Sequence, residues 1–480
     1  MKIKEVLEGV EVISDIRAFQ DLEIKGFKVN SKKVEKGDLF ICLKGGNFDG
    51  NDYIDEALKN GASAVISETE KAGAICVKNT RTAYSLISKN FYGKACDRLK
   101  IIGVTGTNGK TTTTYMLSSI FESAGFKVAT IGTLGVKLGD KTIDTTLTTP
   151  DPDVLHRLFA DMEKAGVEYV FMEVSAHAIA LKKLEGIKFE TAVLTNITED
   201  HLDFFENMDS YAKVKLDFML SDAVKKIVVN CDDKYGRELL NLERKPSFSY
   251  GVESGDVTTL AKNLYLTRSD FIFKSLGKVY TISTNLAGEY NVSNALGAIC
   301  VASIFAIKVE DIKKGLKTLS GVDGRFNVIN TGKNIVVIDY AHTPDGLLKL
   351  LQNVRALTKG KIITVFGCGG NREKAKRSQM GKIAEDYSDY VCITSDNPRF
   401  EEPNKIIDEI EAGMIKTNHV KEVNRKDAIK KMLDLARKGD CVVIAGKGAE
   451  KTQEINGKKT YFSDYEEVRL HILDKNKEKL

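Results

Sequence analysis

The sequence contains no tryptophan, only six prolines and only six histidines among 480 residues. Proline-rich and low-complexity stretches are scarce, which excludes long disordered arms as a main feature. Its eight cysteines stand singly, without a Cys-x-x-Cys pair, and Cys368, Cys392 and Cys441 fall in or beside apolar strand-like runs. This argues against a disulfide framework and predicts a reduced, cytoplasmic protein. The first thirteen residues alternate charge with apolar side chains and lack the unbroken apolar stretch of a signal peptide, so export is not expected. The longest uncharged apolar run, 298–307, has about half the length that a bilayer crossing needs and predicts a buried helix instead of a membrane span. A net charge of +4 makes no case for nucleic acid, and the lysine-rich end, 474–480, reads as a solvated tail. The Asn-Lys-x-Asp signature of a guanine-specific switch is also missing.

What is present is the composition of a globular protein, 42% hydrophobic and 29% charged, in a chain long enough for about three domains. From about residue 100 onward, β-branched runs at 101–105, 128–131, 169–174, 192–195 and 227–229 alternate with amphipathic stretches, the pattern of a parallel sheet flanked by helices. Nearly all of them end in Gly, Asn, Asp or Glu, and ligands of open parallel sheets bind beyond the carboxyl ends of the strands. A second series follows at 335–338, 362–366, 390–394 and 441–445, and after its first strand Thr343 can cap a helix with Pro344 in the first turn. Shorter segments at 39–43, 64–67 and 74–77, with a helix at 53–60, predict a small α/β domain at the start. The expected fold class is therefore α/β with three domains: a small N-terminal α/β domain at 1–97, a central P-loop-type parallel-sheet ATPase domain at 98–325, and a C-terminal Rossmann-like domain at 326–480.

The strongest local signal is Thr105-Gly-Thr-Asn-Gly-Lys-Thr-Thr112, which follows a predicted strand and opens a predicted helix. Gly106 and Gly109 let backbone N–H groups turn toward phosphates, Lys110 adds a point charge, and Thr111 supplies a hydroxyl for a magnesium ion; Thr107, Asn108 and Thr112 complete the loop. Val104 stands where the strict phosphate-loop pattern begins with glycine. A metal-orienting carboxylate is expected at the end of a neighbouring strand, and Glu173 is placed there. His177, His201 and His342 also directly follow strand candidates, His201 within Thr195-Asn-Ile-Thr-Glu-Asp-His-Leu-Asp203. Read alone, His201 is better explained as a loop histidine, although its place after a strand of the same sheet favours function, and Lys215 as a surface helix lysine; Asn291 and Asn294 are as well explained as helix caps, and Arg325 as a surface charge.

Together these segments resemble the Mur ligase family, over essentially the whole chain. Gly37-Asp-Leu-Phe40, the glycines at 45–50, Thr148-Thr-Pro150, Asp339-Tyr-Ala-His-Thr-Pro-Asp345, Phe366-Gly-Cys-Gly-Gly370 and Asp396-Asn-Pro-Arg399 extend the likeness. The resemblance implies an ATP-dependent amide ligase that adds the third residue, meso-diaminopimelate, to UDP-N-acetylmuramoyl-L-alanyl-D-glutamate through an acyl-phosphate, with ATP as co-substrate and Mg²⁺ as cofactor. It implies Ser31, Thr148, Thr149, Ser175 and Lys183 as contacts to the UDP-muramoyl dipeptide, and Asn291, Asn294 and Arg325 as further ATP contacts. Lys110, Glu173, His201 and Lys215 would carry the chemistry. Thr111, Glu173, His201 and Lys215, the last carboxylated by CO₂ to N6-carboxylysine, would ligate the metal. Arg372, Asp396, Asn397, Pro398, Arg399, Gly446 and Glu450 would receive the diamino acid. Departures from the family pattern are Asn30 for aspartate, Ala176 for serine, Lys183 for arginine, Asn371 for aspartate and Ala449 for histidine.

The choice of amino acid turns on Arg399, whose guanidinium can grip a carboxylate with two hydrogen bonds. Diaminopimelate and its sulfur-bridged analogue meso-lanthionine present a carboxylate at the far end, whereas lysine does not. A folylpolyglutamate synthase-like ligase, sharing the ATP loop, and a nucleotide-dependent switch without ligase activity are the competing readings. Small-molecule substrates, no nucleic acid and a monomer are the expected partners and state.

Overall fold

The computed structural model describes residues 1–19, 21–46, 48–70 and 73–477, without the side chains of 203, 476 and 477. The solvated tail expected at 474–480 therefore lies partly outside the described residues, as does residue 47 of the glycine segment at 45–50. The chain divides into two compact units, one of 1–103, 126–192 and 217–226, the other of 104–125, 193–216 and 227–480. The division passes through two strands, Lys100–Thr105 and Thr191–Leu194.

In the first unit, strands Gly26–Lys28, Asp38–Ile41, Ala64–Ser67 and Ala74–Cys76 form a four-stranded parallel sheet in that order. Its sides are covered separately. Leu39, Ile41, Ala64 and Ile66 pack with Ala83, Tyr84 and Ile87 of helix Thr80–Phe91. Phe40 and Val65 pack with Ile54 and Ala57 of helix Ile54–Lys59. This is the alternation that a pleated strand dictates when both faces are buried. The same unit holds strand Val128–Gly132, parallel to Tyr169–Glu173 and antiparallel to Gly135–Leu138.

In the second unit, Ile227–Asn230 and Ser247–Gly251 pair in parallel, and Val257–Leu264, Ser269–Ser275 and Lys278–Thr284 continue as an antiparallel meander. A separate six-stranded sheet contains the parallel strands Ile335–Asp339, Cys441–Ala445, Ile362–Phe366, Tyr390–Thr394 and His419–Glu422, with Asn327–Asn330 antiparallel at one edge. Val337, Phe366, Ile393 and Val443 face one apolar core that includes Leu347, Leu351 and Val354 of helix Pro344–Leu357. Val336, Val365, Cys392 and Val442 face the other, against Ala428, Ile429 and Met432 of helix Arg425–Leu435. The fold is α/β, as expected. All eight cysteines are buried thiols, and no helix among the described residues is long and apolar enough to cross a membrane.

One ion pair in the second core is wholly buried: Arg425 Nε and Nη2 each donate to Asp464 at 2.7 Å, with both side chains 0% exposed. The second Arg425 terminus also donates to the Ala445 carbonyl at 3.0 Å, fixing the end of strand Cys441–Ala445. Asp464→Ala would strand a guanidinium in the core. It is expected to cost about 3–5 kcal/mol, seen as a lower urea midpoint, and an unchanged midpoint would contradict this role.

Candidate active site

The nucleotide loop is built by sterics before any ligand arrives. Gly106 (φ +143°) and Gly109 (φ +86°) occupy backbone regions that suit glycine, and a Cβ on either would collide with Thr195 or Asn294. The loop is fastened by the segment that follows strand Thr191–Leu194. Thr107 N–H donates to the Asn196 carbonyl at 2.8 Å, Asn108 N–H donates to Asn196 Oδ1 at 3.0 Å, and Thr195 Oγ1 donates to the Asn108 carbonyl at 2.6 Å. Helix Lys110–Ser123 starts directly after it, so its first N–H groups and positive dipole end lie at the loop. Lys110 Nζ donates to the carbonyls of Gly106 at 2.9 Å and Thr107 at 2.8 Å, and Arg325 Nη2 donates to Thr111 Oγ1 at 3.2 Å. Thr111 and Thr112 are buried within the first helical turn.

Lys215 is brought to the same loop. Its side chain is buried, Nζ donates to the Gly106 carbonyl at 2.9 Å, and the ammonium lies 4.8 Å from the centre of the Tyr211 ring. Burial first, and then the charge of Lys110, hold its amine well below the ordinary lysine range. A surface helix lysine would have neither contact nor shift. His201 sits in a left-handed backbone conformation (φ +57°), with Nε2 3.4 Å from Asp200 and its ring edge-on to Tyr211. Burial opposes charge on Asp200, but His201, His342, Lys110 and Lys376 together hold its carboxyl below the usual range.

Asn291 and Asn294 are buried in the opening turns of helix Glu289–Ile304, but Gly288 is the cap. Asn294 Nδ2 donates to Asn291 Oδ1 at 3.2 Å, and Asn291 Nδ2 donates to the Ala287 carbonyl at 2.8 Å. One contact had only its motif as a sequence signal. Asp345, at the end of Asp339-Tyr-Ala-His-Thr-Pro-Asp345, accepts from Asn108 Nδ2 and Thr198 Oγ1, both at 3.1 Å. It therefore tethers helix Pro344–Leu357 to the nucleotide loop.

Farther along the second unit, two loops interlock through the backbone of Gly370. Gly370 N–H donates to the Asn397 carbonyl at 2.9 Å, and Arg399 Nη1 donates to the Gly370 carbonyl at 2.7 Å. A Cβ at Gly370 would collide with the Pro398 carbonyl, and at Gly446 one would meet Asp396 Oδ2 at 2.7 Å. Arg399 has φ +52°, and its backbone is held on both sides by hairpin Thr452–Ile455/Lys458–Tyr461, through the Glu454 carbonyl and the Asn456 N–H. Its Nε lies 3.9 Å from Glu454, so the guanidinium faces an acid without a close ion pair. Asp396 and Asn397 are buried, and Arg372 is exposed beside this loop. Asn371, a departure from the family pattern, accepts the Phe400 N–H at 3.1 Å and thereby serves the loop.

The first unit collects its own candidates. The Glu173 carboxylate accepts the Thr133 N–H at 2.8 Å and the Thr133 hydroxyl at 3.1 Å, and Thr133 in turn meets Thr148 Oγ1 at 3.2 Å. Thr149 Oγ1 donates to the Glu173 carbonyl at 2.8 Å and accepts the Ser175 N–H at 3.1 Å, while Ser175 Oγ caps helix Ala176–Ala180. Thr148, Thr149, Glu173 and Ser175 are thus one hydrogen-bonded group. Lys183 pairs with Asp151 at 2.6 Å. Ser31 is buried, and its hydroxyl donates to Glu56 at 2.5 Å.

A phosphate-binding loop after a parallel strand, with a buried lysine against it and polar strand ends beyond, is the machinery of an ATP-using α/β enzyme. Comparison with known proteins makes the class specific. The models described as Mur ligase family, catalytic domain; Mur ligase middle domain; and Mur ligase, glutamate ligase domain match residues 23–92, 104–302 and 324–448. The chain belongs to the Mur ligase family. It is 40% identical to the UDP-N-acetylmuramoyl-L-alanyl-D-glutamate--2,6-diaminopimelate ligase of Clostridium tetani over 98% of this chain and 99% of that protein. It is also similar to a solved structure of a UDP-N-acetylmuramoyl-L-alanyl-D-glutamate--2,6-diaminopimelate ligase, with TM-score 0.71, 30% identity and 99% of each chain covered. A folylpolyglutamate synthase from Mycobacterium tuberculosis, solved with ADP and AMPPCP, shares the fold at TM-score 0.64 and 18% identity over 76% of this chain and 92% of that one.

Proposed function

We propose that this chain is the ATP-dependent ligase that joins meso-2,6-diaminopimelate to UDP-N-acetylmuramoyl-L-alanyl-D-glutamate, releasing ADP and phosphate, in the cytoplasmic synthesis of peptidoglycan precursor. The observation that carries the reading is the full-length 40% identity to a ligase of that name, joined to an Arg399 loop tied to the Gly369-Gly370 turn. An amide does not form from a carboxylate and an ammonium without activation. The γ-carboxylate of the dipeptide attacks the γ-phosphate of ATP, giving an acyl-phosphate and ADP. The uncharged amine then adds to the acyl carbon, and the tetrahedral intermediate collapses with loss of phosphate.

Lys110, the loop amides and Arg325 offset charge on the phosphates, and Asn291 and Asn294 would present amides to the adenine. Thr148, Thr149, Ser175, Lys183 and Ser31 receive the UDP-muramoyl dipeptide. Arg372, Asp396 through Arg399, Gly446 and Glu450 receive the diamino acid, and the protein acts as a monomer with segments 1–97, 98–325 and 326–480 as its domains. The donor chemistry fits magnesium. Thr111 offers a hydroxyl, His201 an imidazole and Glu173 a carboxylate, and the suppressed basicity of Lys215 suits its amine to carbamate formation, which would add anionic oxygens. No group of three His, Cys, Asp or Glu side chains able to cage a metal is present among the described residues. Bound magnesium would neutralise phosphate charge.

The test offers diaminopimelate, meso-lanthionine and L-lysine in parallel to purified protein with ATP, Mg²⁺ and the UDP-muramoyl dipeptide, with product followed by mass. Diaminopimelate tripeptide is expected in large excess over the lysine product, whereas preferential lysine addition would contradict the reading.

A further inference from the structure

Lys447 follows Gly446 in the loop beyond strand Cys441–Ala445, and its side chain is 0% exposed. A cation removed from water that completely must be met by hydrogen-bonding oxygens. Here they belong to residues of two loops, one after strand Tyr390–Thr394 and one after Cys441–Ala445: Nζ donates to Asn397 Oδ1 at 3.1 Å and to Glu450 Oε2 at 2.9 Å. Asn397 Nδ2 donates to the same Oε2 at 2.8 Å, and the Glu454 N–H donates to Asn397 Oδ1 at 3.0 Å. The direction of the Asn397 amide is thereby fixed, because flipping it would turn its NH₂ group onto the ammonium and onto the Glu454 N–H. Both bonds to Glu450 fall on Oε2. Oε1 carries neither of them, and the Glu450 side chain keeps 35% of its surface exposed.

We propose that Lys447 is the positioning residue for the incoming diamino acid: it locks Asn397 and Glu450 so that the second carboxylate oxygen of Glu450 meets an ammonium group of the amino acid in a preset orientation. This rests on the reading of the chain as a diamino-acid ligase. The ordering of Asn397 and Glu450 is completed on folding, so binding the zwitterion need not order them again.

The test is steady-state kinetics of full-length Lys447→Met, with the urea midpoint measured alongside. The KM for diaminopimelate is expected to rise on the order of 10–100-fold, with the KM values for ATP and the UDP-muramoyl dipeptide unchanged and kcat at saturating amino acid much less affected. In a Glu450→Gln background the same substitution should have little further effect, since the oxygen it orients is already compromised. Lys447→Arg, which keeps a buried donor, should recover part of the amino-acid KM. A folded Lys447→Met with a normal KM for diaminopimelate, or an additive loss in the double variant, would overturn the proposal. So would failure of both single variants to fold, which would assign the lysine to the core alone. Wild-type protein unable to ligate diaminopimelate would instead overturn the parent reading.

Discussion

Lys215→Ala is expected to reduce kcat on the order of 10³-fold while leaving nucleotide binding largely intact. The expectation follows from the buried amine against the Gly106 carbonyl, a place where an ordinary ammonium is disfavoured and a neutral amine can add CO₂. In that step the lone pair of the neutral amine forms the N–C bond and one amine proton leaves to solvent, so a neutral group becomes an anion. Wild-type protein held at mildly acidic pH and then stripped of CO₂ should lose activity, because protonation of the amine opposes carbamate formation. Bicarbonate should restore it. Short carboxylates such as formate should partly rescue the alanine variant, whose cavity can admit the missing oxygens, and should not rescue Lys215→Arg. Full activity of stripped wild-type protein in CO₂-free buffer would remove the carbamate from the account.

Arg399→Ala is expected to lower kcat/KM for diaminopimelate by on the order of 10³-fold or more, because the distal carboxylate would lose a two-bond partner in a partly buried site. Turnover with lysine, slow in the parent, should change much less, so the preference between the two amino acids collapses. Nucleotide binding, measured by ADP titration, should be spared. The left-handed backbone at Arg399, held by Glu454 and Asn456, makes Arg399→Lys an informative companion: it keeps the charge but not the fork, and should recover little. An unchanged diaminopimelate preference in Arg399→Ala would contradict the assignment.

Much of the architecture was legible where periodicity and chemistry coincide. The strands 362–366, 390–394 and 441–445 stand as expected, because β-branched and apolar runs interrupted only by threonine belong to parallel strands buried on both faces. Thr343 caps helix Pro344–Leu357 as its spacing predicted. The antiparallel meander from Val257 to Thr284 was not foreseen. Its half-exposed strands mix charge with apolar residues, as in Lys278–Thr284, and read locally like loop. Hairpin Thr452–Ile455/Lys458–Tyr461 escaped for the same reason, although Asn456-Gly457 is a turn signal.

At the candidate site, the glycines of the nucleotide loop and the acid at the end of strand Tyr169–Glu173 could be read from residue types alone. Lys215 could not. Nothing in the composition of its helix distinguishes a lysine turned inward against the Gly106 carbonyl from one facing solvent, and only the resemblance pointed to it. Lys447 was invisible for a related reason: its burial depends on Asn397 and Glu450, which are distant and near in sequence respectively and meet only in the folded loops. Thr133, which orients the Glu173 carboxylate, is likewise a contact across strands with no sequence motif of its own.

The central claim, activation of a carboxylate by phosphoryl transfer, is tested most directly by isotope tracing. UDP-muramoyl dipeptide carrying ¹⁸O in the γ-carboxylate is incubated with ATP, Mg²⁺ and diaminopimelate, and the released phosphate is analysed by mass. The account predicts one carboxylate oxygen in each phosphate formed along with tripeptide. Tripeptide formed with unlabelled phosphate, or with AMP and pyrophosphate as the nucleotide products, would contradict it.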